Sequence, residues 1–132
     1  MLRSALAARL RERFATAWGL ATPIAWPNTR FDVPEGAWVR YTDLPTLSTN
    51  AAIGDAGDCL VRHIGQIIIQ VFTPIHQGPG PGILLAEAAT AIYENTTIDN
   101  IHVFACYISA IGDDGYGWYQ YNAVIPYLAQ GA

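Results

Sequence analysis

The chain has 132 residues and a formal net charge of −4; 52% of its residues are apolar and only 14% charged. That length suits one domain, residues 1–132. The absence of any uncharged apolar run of roughly 18 residues excludes a membrane-spanning helix, and the acidic balance argues against a general nucleic-acid binder. Ordinary soluble domains are about 25% charged, so this exterior is short of charge and rich in Tyr, Trp and Ala. Such a surface belongs against another protein; the alternative is a tightly packed monomer with a bland surface.

All seven basic residues are arginine. Arg suits interfaces, although a codon bias toward Ala and Arg explains the count more simply. Without lysine there is no Schiff base, no phosphate-binding P-loop lysine and no Ser–Lys dyad. Arg9, Arg11, Glu12 and Arg13 interrupt the N-terminus too early for a signal-peptide core, which makes the cytoplasm the default location. The two cysteines, Cys59 and Cys106, are expected to be buried and free.

Residues 2 to 17 read as a helix, because Leu2, Leu6, Leu10 and Phe14 recur every four residues. Gly19 stops it. Thr22 to Trp26 is a short extended piece, turned by Pro27-Asn28. Ala37 to Leu44 reads as a strand with Trp38, Arg40 and Thr42 on one face and Val39, Tyr41 and Asp43 on the other. Pro45 to Gly57 has no clear period and reads as a long loop, of the kind that is functional or disordered.

Cys59 to Phe72 is a long strand, with Ile67, Ile69 and Val71 on one side and Ile68, Gln70 and Phe72 on the other. Pro74 closes it. Pro81 suits the first turn of a second helix that runs to about Asn95, with Leu84 or Leu85, Ala88, Ala91 and Ile92 facing inward. Ile101 to Ile108 is apolar on both faces and reads as a central strand. Gly112-Asp113-Asp114-Gly115 is a turn, and Tyr116 to Tyr127 a last, aromatic strand. The order implies an α+β fold: a single, mostly antiparallel mixed sheet with two helices on one face.

Chemistry finds little support. The stretch Gln70 to Gly82 (QVFTPIHQGPGPG) joins a strand to a helix, as phosphate-binding loops do. Gly78 and Gly80 match the first two glycines of a dinucleotide fingerprint, but Ile83 stands where the third is needed. Pro79 and Pro81 also lack the N–H groups a phosphate cradle uses. The loop is better read as a stiff crossing from sheet to helix, with a donor-poor surface that is also able to lie along a neighbouring subunit. Cys59 and His63 on a strand are about 13 Å apart, and no second pair has metal spacing. His102 is expected to be a satisfied core histidine, too far along its strand to touch Cys106. Ser48 and Ser109 lack an elbow context, and Asp113-Asp114 reads as a solvated turn. No catalytic, metal or cofactor site follows. The aromatics of Tyr116-Gly117-Trp118-Tyr119-Gln120-Tyr121 fall on both faces, so one side meets something beyond the chain's own helices.

Three segments carry a family resemblance: Ile24 to Asn28 (IAWPN), Trp38-Val39-Arg40, and Arg62 to Pro74 (RHIGQIIIQVFTP) with the glycine-rich loop into a helix. With them the chain resembles tail-terminator (tail-completion) proteins of long-tailed bacteriophages and phage-like particles, from the first helix to the last strand. The resemblance implies a sheet flanked by two helices. It also implies a structural, non-enzymatic virion protein without cofactor that forms a homohexameric ring on the tail tube. Such a ring stops tube polymerisation and presents a surface to the head-side connector or stopper, with DNA passing through the lumen without sequence-specific binding. The location implied is the virion tail or neck, after assembly in the host cytoplasm. The alternatives are another neck component, such as a head-completion or stopper protein, or a small ligand-binding α+β domain. The residues expected at subunit or partner interfaces are Arg40, Leu47, Ile53, Arg62, His76, Gln77 and Trp118.

Overall fold

A computed structural model describes residues 3–19, 21–52 and 60–131. Within them the chain forms helix α1 (Arg3–Trp18), strands β1 (Ile24–Ala25), β2 (Trp38–Ala52) and β3 (Leu60–Pro74), helix α2 (Gly80–Tyr93), and strands β4 (Thr97–Ile98), β5 (Ile101–Val103), β6 (Tyr107–Asp113) and β7 (Trp118–Gly131). The seven strands make one sheet in the order β1-β2-β3-β7-β5-β4, with β6 also on β7. Every pairing is antiparallel except β1 on β2. The expected α+β fold is therefore present.

Both helices lie on one face of the sheet, and a single apolar cluster joins them to it. The four-residue stripe of α1 buries Leu6, Leu10 and Phe14, and extends to Trp18. The alternating residues Val39 and Tyr41, then Ile67, Ile69 and Val71, then Tyr121, Ala123, Ile125, Tyr127 and Ala129 supply the floor. Period two in the sheet and period 3.6 in the helix place these side chains together. Phe14 sits at the centre, with ring centroids 5.1 Å from Trp18, 5.8 Å from Tyr41 and 6.5 Å from Tyr93. Two polar bonds tie the helices to each other: the Tyr93 hydroxyl donates to the Leu10 carbonyl at 2.6 Å, and Arg13 Nε donates to the Ile92 carbonyl at 2.8 Å.

The expected inward face of α2 holds only at Leu85 and Ile92, which are half-buried against the core cluster. Its buried residues are Gly82, Ala86, Ala89, Thr90 and Tyr93, while Leu84, Ala88 and Ala91 are exposed. The helix approaches the sheet on its small side chains because Tyr121 rises from β7 against it. A Cβ on Gly82 would stand 2.5 Å from Cδ2 and 2.7 Å from Cε2 of Tyr121. Large side chains on the contacting face would lift the helix off the core, so Leu84 points outward.

The expected loop from Pro45 is instead strand as far as Ala52; the rest of it, from Ile53, lies outside the described residues. The period was hidden by two irregularities, between Pro45 and Leu47 and between Asn50 and Ala52. Each inserts a residue and resets which face the side chains take. Pro45 has no N–H to donate, which is tolerated here because β1 pairs only with Val39 and Arg40 and leaves β2 an edge strand beyond them.

The stretch Ile101 to Ile108 is not a central strand. It breaks at Phe104–Cys106 into β5 and β6, which lie end to end along the outer edge of β7. Its apolar residues Phe104, Tyr107 and Ile108 are consequently exposed, and so is His102, which touches Thr97 Oγ1 through Nδ1 at 3.4 Å rather than filling the core. Cys106 lies in the break and off any strand face shared with His102. Tyr116 belongs to the turn before β7, which starts at Trp118. That turn is closed by Asp113 Oδ1 accepting from Gly115 N and Asp114 Oδ1 from Tyr116 N, each at 2.8 Å.

Replacing Gly82 with Ala forces α2 away from Tyr121, and overpacking of this kind costs about 1–3 kcal/mol. Urea denaturation should show a lower midpoint with an unchanged slope. A variant as stable as the parent would mean that α2 does not seat on Tyr121.

Candidate functional site

The opposite face of the sheet has no helix over it among the described residues. At one end the face holds a second, smaller cluster: Trp38 stacks on Phe72 at 4.1 Å, Phe31 lies 5.2 Å from Trp38, and Trp118 meets Trp38 edge-on at 5.9 Å. The Arg40 guanidinium lies 5.4 Å from the centroids of both Trp38 and Phe72, with Nη1 reaching Gln70 Oε1 at 3.5 Å. Across the sheet the face continues in registered rows. Thr42, Ile68, Val124 and Tyr107 form one; Leu44, Gln66 and Pro126 the next; Leu47, Ile64 and Leu128 another.

The described residues of β2, β3 and β7 that point to this side include Arg40 and Arg62 but no Asp or Glu. The exposed large apolar residues of the molecule include Leu44, Leu47, Tyr107 and Ile111. Leu, Ile and Tyr thus supply much of the exposed apolar surface, whereas Trp18 and Trp38 are buried. Trp is rich in contacts and the two clusters absorb it.

Of the expected interface residues, the structure brings Arg40 and Trp118 together in the Trp38 cluster. Leu47 and Arg62 lie on the same face toward the far end of β2 and β3; Leu47 is half exposed, and Arg62 Nε is buried with no partner among the described residues. His76 and Gln77 are exposed in the turn after β3, at the same end of the sheet as Trp118, because Pro74 pairs with Trp118 and Ile75 N bonds the Gly117 carbonyl at 3.2 Å. His76 adopts φ 69° there, an uncommon conformation for a residue with a Cβ. Ile53 lies outside the described residues. Sequence reasoning missed Phe31, Phe72 and Tyr107. The alternation in β3 was a signal for Phe72; nothing local marked the other two.

The groove between α1 and β2 is lined by Arg3, Arg11, Thr42, Asp43 and Pro45. Asp43 Oδ1 accepts the Tyr127 hydroxyl at 2.8 Å. Burial raises Asp43 above the usual carboxylate range, outweighing Tyr127, Arg3 and Arg11, which pull it down. Burial likewise pushes the Tyr127 phenol up, with Asp43 adding to it. Burial, then Glu94, lifts the Cys106 thiol to about 11, so it is a protonated packing group rather than a nucleophile. The described residues contain no group of three possible metal ligands and no helix long and apolar enough to cross a membrane. What the arrangement offers is surface: aromatic, nearly uncharged, and flanked by open strand edges.

A family model described as phage tail terminator protein matches residues 1–127. The chain belongs to the phage tail terminator family. The fold itself is also seen in a solved structure. One solved structure, whose title states no function, superposes with a TM-score of 0.73 at 20% identity, covering 100% of this chain and 98% of that one. A search of curated proteins found no match. A terminator is a structural component of the phage tail, and tail components act by contacting one another; the uncovered face and its edges are where this chain has surface to offer.

A carboxyl raised in the folded state contributes stability while protonated and loses it as pH rises through its folded pKa. Asp43→Asn keeps an acceptor for Tyr127 and removes the charge. The variant should therefore melt higher than the parent at pH 7–8, with the gap closing as pH falls below about 4, where an ordinary carboxylate also protonates. Calorimetry across that range checks it; a variant that melts lower at neutral pH would show Asp43 to be stabilising as an anion.

Proposed function

We propose that this terminator assembles as a closed ring, a homohexamer, that caps the tail tube, ends its polymerisation and joins it to the head-side connector or stopper. The observation that carries the reading is the sheet face that no helix covers among the described residues. A face that exposes Leu44, Leu47 and Tyr107 beside the half-buried Trp118, with two arginines and no carboxylate among the described residues, suits burial against protein far better than exposure to water. In this reading residues 1–132 work as one domain with no reaction and no cofactor. Arg40, Leu47, Ile53, Arg62, His76, Gln77 and Trp118 meet neighbouring subunits, the tube or the connector. DNA passes the lumen without sequence-specific contact. The ring assembles in the host cytoplasm and resides in the virion tail or neck.

Purified tail tube protein, polymerised with and without the terminator and imaged by electron microscopy, tests the reading. Tubes of limited length carrying a terminal ring are expected with it, and tubes of uncontrolled length without it. Identical length distributions would overturn the proposal. Trp118→Ala separates assembly from folding. Trp118 sits half-buried at the rim of its cluster, and losing one edge-on aromatic contact costs about 1 kcal/mol. The monomer should remain folded by circular dichroism while capping falls sharply. Normal capping by the folded variant would remove Trp118 from the interface.

A further inference from the structure

The sheet has two long open edges at diagonally opposite corners. Val39, Val71, Tyr121 and Ala110 lie in one row across β2, β3, β7 and β6. On the β2 flank of that row the two-residue β1 occupies Val39 and Arg40. From Tyr41 to Ala52 no described residue pairs with the outer edge of β2, and none pairs with the outer edge of β6 along Tyr107–Asp113. Open edges of this length are templates for another strand. We propose that the edge of β6 in one copy adds antiparallel to the edge of β2 in the next, so that one sheet runs on from subunit to subunit. The inference rests on the ring reading above and names its seam.

Direction, offset and charge select a second copy as the occupant. Along β2, β3, β7 and β6 each strand runs opposite to the last. A rotation that keeps strand direction therefore lays β6 antiparallel to the neighbour's β2. Because β1 blocks Val39 and Arg40, the incoming strand must be displaced toward Tyr41. Side chains alternate, so the displacement is even. Counted along β3, four residues bring Ala110 level with the neighbour's Asp43, Ser109 with Leu44, Tyr107 with Leu47, and Asp113 with Tyr41. The last residue of β6 then comes next to where the neighbour's β1 ends. Four residues rise ~14 Å, and the repeat spans four strand spacings, ~19 Å. The resulting tilt is ~35°, that of sheets that close on themselves. A head-to-tail contact repeated with a rotation that closes makes a ring.

The same offset matches charge. Cys106 comes level with the neighbour's Ser48, to which Arg3 Nη2 donates at 2.7 Å. Glu94, whose carboxylate accepts Cys106 N at 3.2 Å, thus arrives beside Arg3 on the helical side of the sheet. Asp43, the carboxylate already in that groove, is engaged by Tyr127. On the other side Tyr107 and Leu47, 54% and 51% exposed in the single chain, cover each other.

The test uses the full chain with Cys59→Ser and Cys106→Ser, to which Leu44→Cys and Ser109→Cys are added. Within one copy these two positions lie on strands separated by β3 and β7, beyond the ~7 Å reach of a disulfide, so any bond between them joins two copies. Mild oxidation of preparations seen to hold rings should give a ladder of covalent oligomers on denaturing gels, absent from either single-cysteine variant. Rings without the ladder overturn the seam and leave the ring reading standing. A parent protein that stays monomeric even with tubes present overturns the ring reading, and the seam falls with it. Independently, Arg3→Glu should lower ring yield by about tenfold, and Glu94→Arg in the same chain should restore it. Undiminished ring yield from an Arg3→Glu protein that melts like the parent would overturn the charge contact.

Discussion

The structure depends on the aromatic junction at Phe14. There α1 meets α2 through Tyr93 and meets the sheet through Tyr41. All three rings are almost inaccessible to water, and burying each contributes about 1.5–3 kcal/mol. The junction also decides which side of the sheet is sealed. Once α1 and α2 share one face, the described chain holds no third helix for the other, and everything on that side must find another solution.

Part of that solution is internal. Trp38 and Phe72 stack, Phe31 and Trp118 close around them, and Arg40 lays its guanidinium across the two stacked rings. An arginine is suited to this place because its planar, weakly hydrated cation covers aromatic faces while staying wet at its rim. Further along the face the described residues supply no such cover, and Leu44, Leu47 and Tyr107 remain half exposed. A face without carboxylates among the described residues, on a chain of net charge −4, is a segregation of charge. A tail protein gains from such a surface because its partners arrive as protein walls.

The elements with one clean period were legible in the sequence. The Leu6-Leu10-Phe14 stripe, the alternation of Ile67, Ile69 and Val71, and the stop at Pro74 needed no tertiary information, because backbone geometry alone puts those side chains on one side. Where the period was interrupted the reading failed. The bulges after Pro45 and Asn50 made a strand look like a loop, and the break at Phe104–Cys106 made a short inner strand and an edge strand look like one core strand. In α2 every residue is helix-compatible, and which side faces in was decided by the bulk of Tyr121 on another element. At the candidate site, Arg40 and Trp118 were legible as a charged and an aromatic residue on strands, but not their convergence on Trp38, separated from Trp118 by 80 positions in the chain.

By itself the sequence determined that this chain is an α+β protein with too few charges for a fully wetted surface, that its chemistry excludes lysine-based catalysis, and that it resembles tail terminators. These follow from composition and local periodicity, which act through neighbouring residues. Only the tertiary structure decided that both helices seal the same face, that β2 and β6 end as open edges at opposite corners, and that Arg3 and Glu94 flank those edges. Strand pairing joins residues distant in the chain, and a one-residue insertion inverts every side chain after it; register is therefore a property of the assembled sheet, and no local pattern encodes it.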